Sequence, residues 1–226
     1  MMATTTRVPT STRAAAPRRS ARQRLLDAAD ELFYDEGVHT VGIDRVIEHA
    51  GVAKASLYNT FGSKAELVQA YLDGRHARTI ARLRAAVQQD SDPVARVYAA
   101  FDAQAEILAQ PNFRGCAFIS ASAEAPPGGV IEHAVDAYRA ELRELFTSLA
   151  ADTGAADPRT LGRQLHLIYD GAILSAQMDH DPSIAVEARA AVTALLTTAL
   201  RSNDQSTPLT DKRSRKGDPR PKKERR

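Results

Sequence analysis

Between positions 54 and 59 the chain carries an ammonium, a hydroxyl, a phenol and a carboxamide, on Lys54, Ser56, Tyr58 and Asn59. At helical spacing Lys54, Ala55, Ser56, Tyr58 and Asn59 point largely outward, while Leu57 and Phe61, four apart, point inward. The chemistry such a row offers is recognition of a polar surface. Cys116, the single cysteine, has two readings. A lone cysteine in an apolar helix is an inert small hydrophobe by default. A thiol in the first turn of a helix, two residues from Arg114, has features that lower its pKa and suit electrophile sensing. His39, His49, His76, His133, His166 and His180 show no ligand spacing, so no metal is expected. Asp170, Asp179, His180 and Asp181 flank Pro182 and read as a helix junction. No nucleophile elbow, phosphate-binding glycine loop or paired-cysteine motif occurs, so neither enzymatic activity nor a cofactor is expected.

Two short helices and a tight turn must position that row. In TVGIDRVIEHAGVAKASLYNTFGSKAEL, from Thr40 to Leu67, Ile43, Val46 and Ile47 share one helical face. Gly51 stands where a helix must stop and reverse. Val52 follows as an apolar plug, Lys54 to Phe61 form the second helix, and Gly62 ends it. Ser63 to Glu66 then read as a capping box for a third helix. Two helices crossing at a glycine turn, the second polar outside, suit a helix-turn-helix whose second helix fits the DNA major groove. A glycine-punctuated αα-corner that touches nothing has the same pattern, so the residues alone leave both readings open.

Charge is strongly segregated along the 226 residues. Residues 1–24 hold six arginines and no acid, and residues 202–226 hold nine basic residues against four acids. Residues 25–201 are left with 15 basic and 24 acidic residues, a net of −9. Both tails are thus basic around an acidic body, the pattern of non-specific nucleic-acid arms. Met1 to Pro17 is rich in Thr, Ser, Ala and Pro and reads as a disordered arm rather than a targeting segment. The tail, 202–226, is also read as disordered, adding either DNA affinity or solubility. One cysteine excludes an internal disulfide framework and makes a reducing compartment the expectation. No apolar run approaches the ~20 residues needed to span a bilayer.

The first helix starts at Ser20 as N-cap, buries Leu25, Ala28, Ala29, Leu32 and Phe33, and closes at Gly37. Thr40 reads as the N-cap of the next. This order, with AADELFYDEG, a Thr-capped helix, AGVAKASLYNTFGSKAEL and a long helix after it, resembles the TetR family of transcriptional regulators. The likeness is close over Arg22 to Leu72, most specifically at Leu57, Tyr58, Phe61, Lys64 and Leu67, and in outline beyond. It implies that Thr40 meets a phosphate, Lys54 and Ser56 reach base edges, and Tyr58 touches phosphate or a thymine methyl. Ala55 and Asn59 share that face, and Lys64 would contact backbone phosphate. Ala53 replaces a small hydroxyl residue common there, so a phosphate contact or a cap is expected to be missing. Because the first two helices carry seven acids, Arg18, Arg19 and Arg22 are expected to supply much of the phosphate attraction.

The implied fold is all-α, about nine helices. A basic arm (1–19) precedes a helix-turn-helix domain (20–72), an effector-binding and dimerisation domain (73–201) and a basic tail (202–226). The last two helices offer apolar stripes, Leu161, Leu165, Ile168, Ala172 and Ala176 on one and Val192, Leu195 and Leu196 on the other. The resemblance makes these a homodimer interface; a monomer's own core would bury the same stripes. The middle helices would enclose an effector, with Tyr98, Phe101, Phe113, Cys116, Phe118, Tyr138 and Tyr169 as lining. The resulting expectation is a bacterial, cytoplasmic, homodimeric repressor released from a palindromic operator by a small molecule. Two alternatives are a helical ligand-binding protein or enzyme with a vestigial helix-turn-helix, and a constitutive architectural DNA binder.

Overall fold

The computed structural model describes residues 19–123 and 125–204. The expected arm through Arg18 and the tail from residue 205 lie outside them. Among the described residues there are nine helices and no strand. They are α1 (Ala21–Glu36), α2 (Ile43–Ala50), α3 (Lys54–Phe61), α4 (Lys64–Val87), α5 (Pro93–Leu108), α6 (Ala117–Ser122), α7 (Val130–Asp152), α8 (Pro158–Asp179) and α9 (Ile184–Asp204).

Several starts are written in the sequence. Ser20 Oγ accepts from Gln23 N at 3.1 Å, and Ser63 Oγ accepts from Glu66 N at 3.1 Å. Asp92 and Asp157 cap α5 and α8 in the same way, each followed by a proline at the first helical position, where its missing N–H costs nothing. Thr40 is not a cap. It lies exposed in the turn, and α2 begins only after Gly42, whose extended backbone has no side-chain partner. The cause is Val41, 1% exposed: burying it carries the chain into the core before the helix can start.

α4 runs unbroken through Leu72 and Asp73, so the expected domain boundary falls inside one helix. It packs on α1 at one end and on α5 and α7 at the other, tying both halves together. α7 and α8 form the most extensive helix pair. Gly162 permits their close approach: a Cβ there would lie 2.7 Å from Thr147 Cα and 2.8 Å from its N.

The terminal stripes need correcting. Leu161, Leu165, Ala172 and Ala176 of α8, with Val192 and Leu196 of α9, are buried in the protomer's own core, and Ile168 and Leu195 are half-buried against it. The outward face of α8 instead presents Leu167, Gly171, Leu174 and Met178, with Leu167 and Met178 about 70% exposed, beside exposed Val186 of α9. Both faces of α8 carry apolar residues at helical spacing, and the more continuous stripe is the one the core takes.

Candidate nucleic-acid interface and ligand cavity

The turn between α2 and α3 rests on Gly51, at φ 60° and ψ 42°. That left-handed step lets Gly51 N–H and Val52 N–H return to carbonyls of the last turn of α2. Arg24 of α1 completes the cap by donating to Gly51 O at 2.9 Å and Ala50 O at 3.4 Å. α3 is anchored by fully buried Leu57 and half-buried Phe61, over which the Arg22 guanidinium lies at 5.6 Å. Lys54, Ala55, Tyr58 and Asn59 are exposed, and Ser56 is half-buried. Ala53, at the N-cap, offers no side-chain bond, so α3 begins without a side-chain cap, and Ser56 N–H returns to Ala53 O at 2.9 Å.

Three of the expected cations are already engaged. Lys54 Nζ donates to Asp44 Oδ1 at 2.8 Å, and that bond together with the carboxylate's charge raises the Lys54 pKa. Lys64 turns inward: its Nζ donates to Val38 O at 2.7 Å and stands 6.0 Å from the Phe33 ring centre, and burial lowers its pKa. It ties α4 to the α1–α2 turn, so its ammonium is not on the exposed face of α3. Arg19 is exposed and donates to Asp27 at 2.7 Å; Arg18 lies outside the described residues.

The acids of the first two helices are less bare than their number suggests. Asp27, Asp30, Asp35, Glu36 and Asp44 each lie within ion-pair distance of an arginine or lysine, and Glu31 lies 3.0 Å from His49. Internal pairing spends most of this negative charge before any DNA phosphate could meet it.

Between α4, α5, α6, α7 and α8 lies a cavity of about 390 Å³. Phe113, Cys116, Phe118, Tyr138 and Tyr169 line it, as expected. Phe118 and Tyr138 stack, their rings 3.9 Å apart and 8° from parallel. Tyr98 and Phe101 are not part of the lining. Tyr98 turns toward α9, donating to Thr193 Oγ1 at 3.1 Å under the Arg189 guanidinium, and Phe101 packs on Phe146 and Tyr169 in the core. Both have the right helical period but face the wrong side of α5. Cys116 is the N-cap of α6 rather than a first-turn residue, and burial pushes its thiol pKa up. Arg114 lies 3.8 Å from Asp35, and the charges that bear on the thiol include Asp170 and Arg139.

The polar half of the cavity is absent from the sequence expectations. Arg75, Arg78 and Arg82, at i, i+3 and i+7 along α4, line it with Asp30 of α1 and Gln104 of α5. The arginine spacing was visible but reads as a solvated helix face. Gln104 is buried and donates to Tyr169 O at 2.8 Å. Its place in the Val97, Phe101, Leu108 stripe was the available signal.

Comparison with known proteins places this arrangement. The family model described as "Bacterial regulatory proteins, tetR family" matches residues 25–71. A TetR-family transcriptional regulator from Streptomyces coelicolor superposes with a TM-score of 0.76 at 35% identity, covering 79% of this chain and 95% of that one. A second regulator of this type, from Streptomyces avermitilis, gives a TM-score of 0.70 at 32% identity, covering 82% and 99%. The transcriptional activator FasR of Mycolicibacterium smegmatis is 39% identical over 87 residues, 38% of this chain and 40% of FasR.

Proposed function

Because the chain belongs to the TetR family of transcriptional regulators, we propose that it is a homodimeric, sequence-specific DNA-binding protein released from its operator by a small ligand in the cavity. The carrying observation is the exposed row Lys54, Ala55, Tyr58 and Asn59 on a helix held rigidly by Leu57, Gly51 and the Arg24 cap. A helix of that width places its first turn at base edges in the major groove. Arg22, Arg19 and the chain before them add phosphate attraction. The dimer forms through the outward face of α8 and α9, centred on Leu167, Leu174, Met178 and Val186. Two-fold symmetry then matches a palindromic operator.

Ligand and operator favour different spacings of the two reading heads, so each weakens the other by the same factor. The protein acts in the cytoplasm on nucleoid DNA, as a repressor where the operator overlaps a promoter. The cavity suits recognition rather than catalysis: its carboxylate, Asp30, is held by two arginines, and burial keeps the Cys116 thiol protonated.

Selecting bound fragments from random DNA with the full chain tests this reading. Enrichment of a palindrome is expected, with Lys54→Ala and Tyr58→Phe each weakening its binding. Failure to enrich any sequence, with DNA still bound, would establish an architectural binder instead.

A further inference from the structure

The cavity carries a charge opposite to the body around it. Three arginines and one carboxylate line it, a net of +2, inside residues 25–201, whose net is −9. Arg75 and Arg78 are both spent on Asp30, at 2.8 Å and 2.5 Å. Arg82 differs. Among the described residues no carboxylate lies within ion-pair distance of it, its Nε is buried without a hydrogen-bond partner, and its neighbour is the Tyr169 hydroxyl. A guanidinium N–H withdrawn from water and left unmatched is costly until an acceptor arrives, and its planar fork suits a carboxylate. In the same cavity, the stacked Phe118 and Tyr138, with Phe113 and Ile173, supply aromatic and apolar lining.

The partition beside this site reaches the DNA-binding head. Asp30, Tyr34, Arg75, Arg78 and Asn112 line the cavity and also a second one, of similar volume, between α1 and α4. Arg75 lies 3.8 Å over the Tyr34 ring, and the Tyr34 hydroxyl accepts from Arg114 N at 3.0 Å and donates to Gly115 O at 3.1 Å. α1 is thus fastened to α4 and to the loop before α6 by two of its own residues.

We infer that the effector is an aromatic carboxylic acid whose anion pairs with Arg82, and that this anion draws Arg78 away from Asp30, loosening α1 on α4. The inference rests on the regulatory reading above and names the ligand class of its cavity. A neutral amide offers the Arg82 fork one acceptor and no charge, and cationic analogues meet three like charges, so both are disfavoured.

Calorimetry on the full chain with cinnamate and 2-naphthoate, each against its neutral amide, tests the ligand class. At least one acid is expected to bind about ten-fold tighter than its amide, the scale of a charge-assisted bidentate pair. Arg82→Gln should erase that preference and Arg82→Lys keep part of it, thermal melts confirming that both variants fold. Equal affinity for acid and amide, no binding of either, or a preference that survives Arg82→Gln overturns the assignment. Fluorescence anisotropy on the selected operator, at acid concentrations that calorimetry shows to saturate each protein, tests the coupling: the preferred acid should lower operator affinity in the wild type and much less in Asp30→Asn. An undiminished effect in Asp30→Asn overturns the coupling. Failure to select any operator removes the regulatory reading while leaving the calorimetric result for the cavity standing.

Discussion

Lys54, the cation of α3, reaches back to Asp44 of α2, 2.8 Å from nitrogen to oxygen. The pair is exposed on both sides, so it contributes little to stability. On the proposed reading its effect lies in recognition, because DNA would compete with Asp44 for this ammonium. Asp44→Asn is expected to leave the melting temperature nearly unchanged and to tighten operator binding a few-fold. The logarithmic salt dependence should steepen by about one charge, as one more cation becomes free to displace counterions. Titration across a salt series would show this; weaker binding would mean that Asp44 orients Lys54 productively.

The two faces of α8 make opposite predictions. Leu165 is fully buried within the protomer, so Leu165→Ala should cost about 2–5 kcal/mol of unfolding free energy. Leu174 is 42% exposed on the outward face, and Leu174→Arg should dissociate the dimer while preserving helix content. Sedimentation and circular dichroism separate the cases. A dimer that persists in Leu174→Arg would place the interface elsewhere.

At Gly162 the argument is steric. A methyl group would press against the backbone of Thr147, which cannot rotate away as a side-chain tip could. Gly162→Ala should therefore destabilise the protein by about 1–3 kcal/mol despite the better helix propensity of alanine. Denaturant unfolding measures it, and a stabilised variant would show that α7 and α8 can separate at no cost.

Burial opposes ionisation of Asp170, but hydrogen bonds and charge from His166 and Arg139 prevail and hold its carboxyl below the ordinary value of 3.8. A carboxyl depressed on folding stabilises fully above its unfolded pKa and loses that contribution as pH falls through the folded value. Asp170→Asn should therefore cost stability near neutral pH and progressively less as pH falls through the folded carboxyl's value. Melting temperatures of wild type and variant across that range should converge on the acid side. A constant gap would assign the cost to packing.

The reading head was legible because its signals are local. Ser20, Gly51, Gly62 and Ser63 act on backbone within a few residues of themselves, and the structure has each where the spacing requires. Thr40 misled because burial of its neighbour Val41 outranks capping preference. The cavity was half legible. Phe113, Phe118, Tyr138 and Tyr169 announce themselves by type, but aromatics at helical spacing do not say which side they face, and Tyr98 and Phe101 face elsewhere. The arginines of α4 escaped because their meaning depends on Asp30, 45 residues away in sequence from Arg75. The face of α8 was misassigned because burial inside one protomer and burial between two obey the same periodicity.

α4 has a mechanical consequence. Twenty-four residues without a break make a rod about 36 Å long. Lys64 bonded to Val38 O and Leu67 in the core clamp its first turns to the reading head, so a tilt of the rod carries the head with it while Asp30 also holds α1 to α4. Tilting such a rod by about 5° at its far end carries the head roughly 3 Å, since a helix of this length resists bending more than it resists pivoting. In a symmetric pair the displacement doubles, to a sizeable fraction of the ~12 Å width of the major groove. A change of angle too small to disturb the core can thus put two recognition helices out of phase with the turns of the DNA.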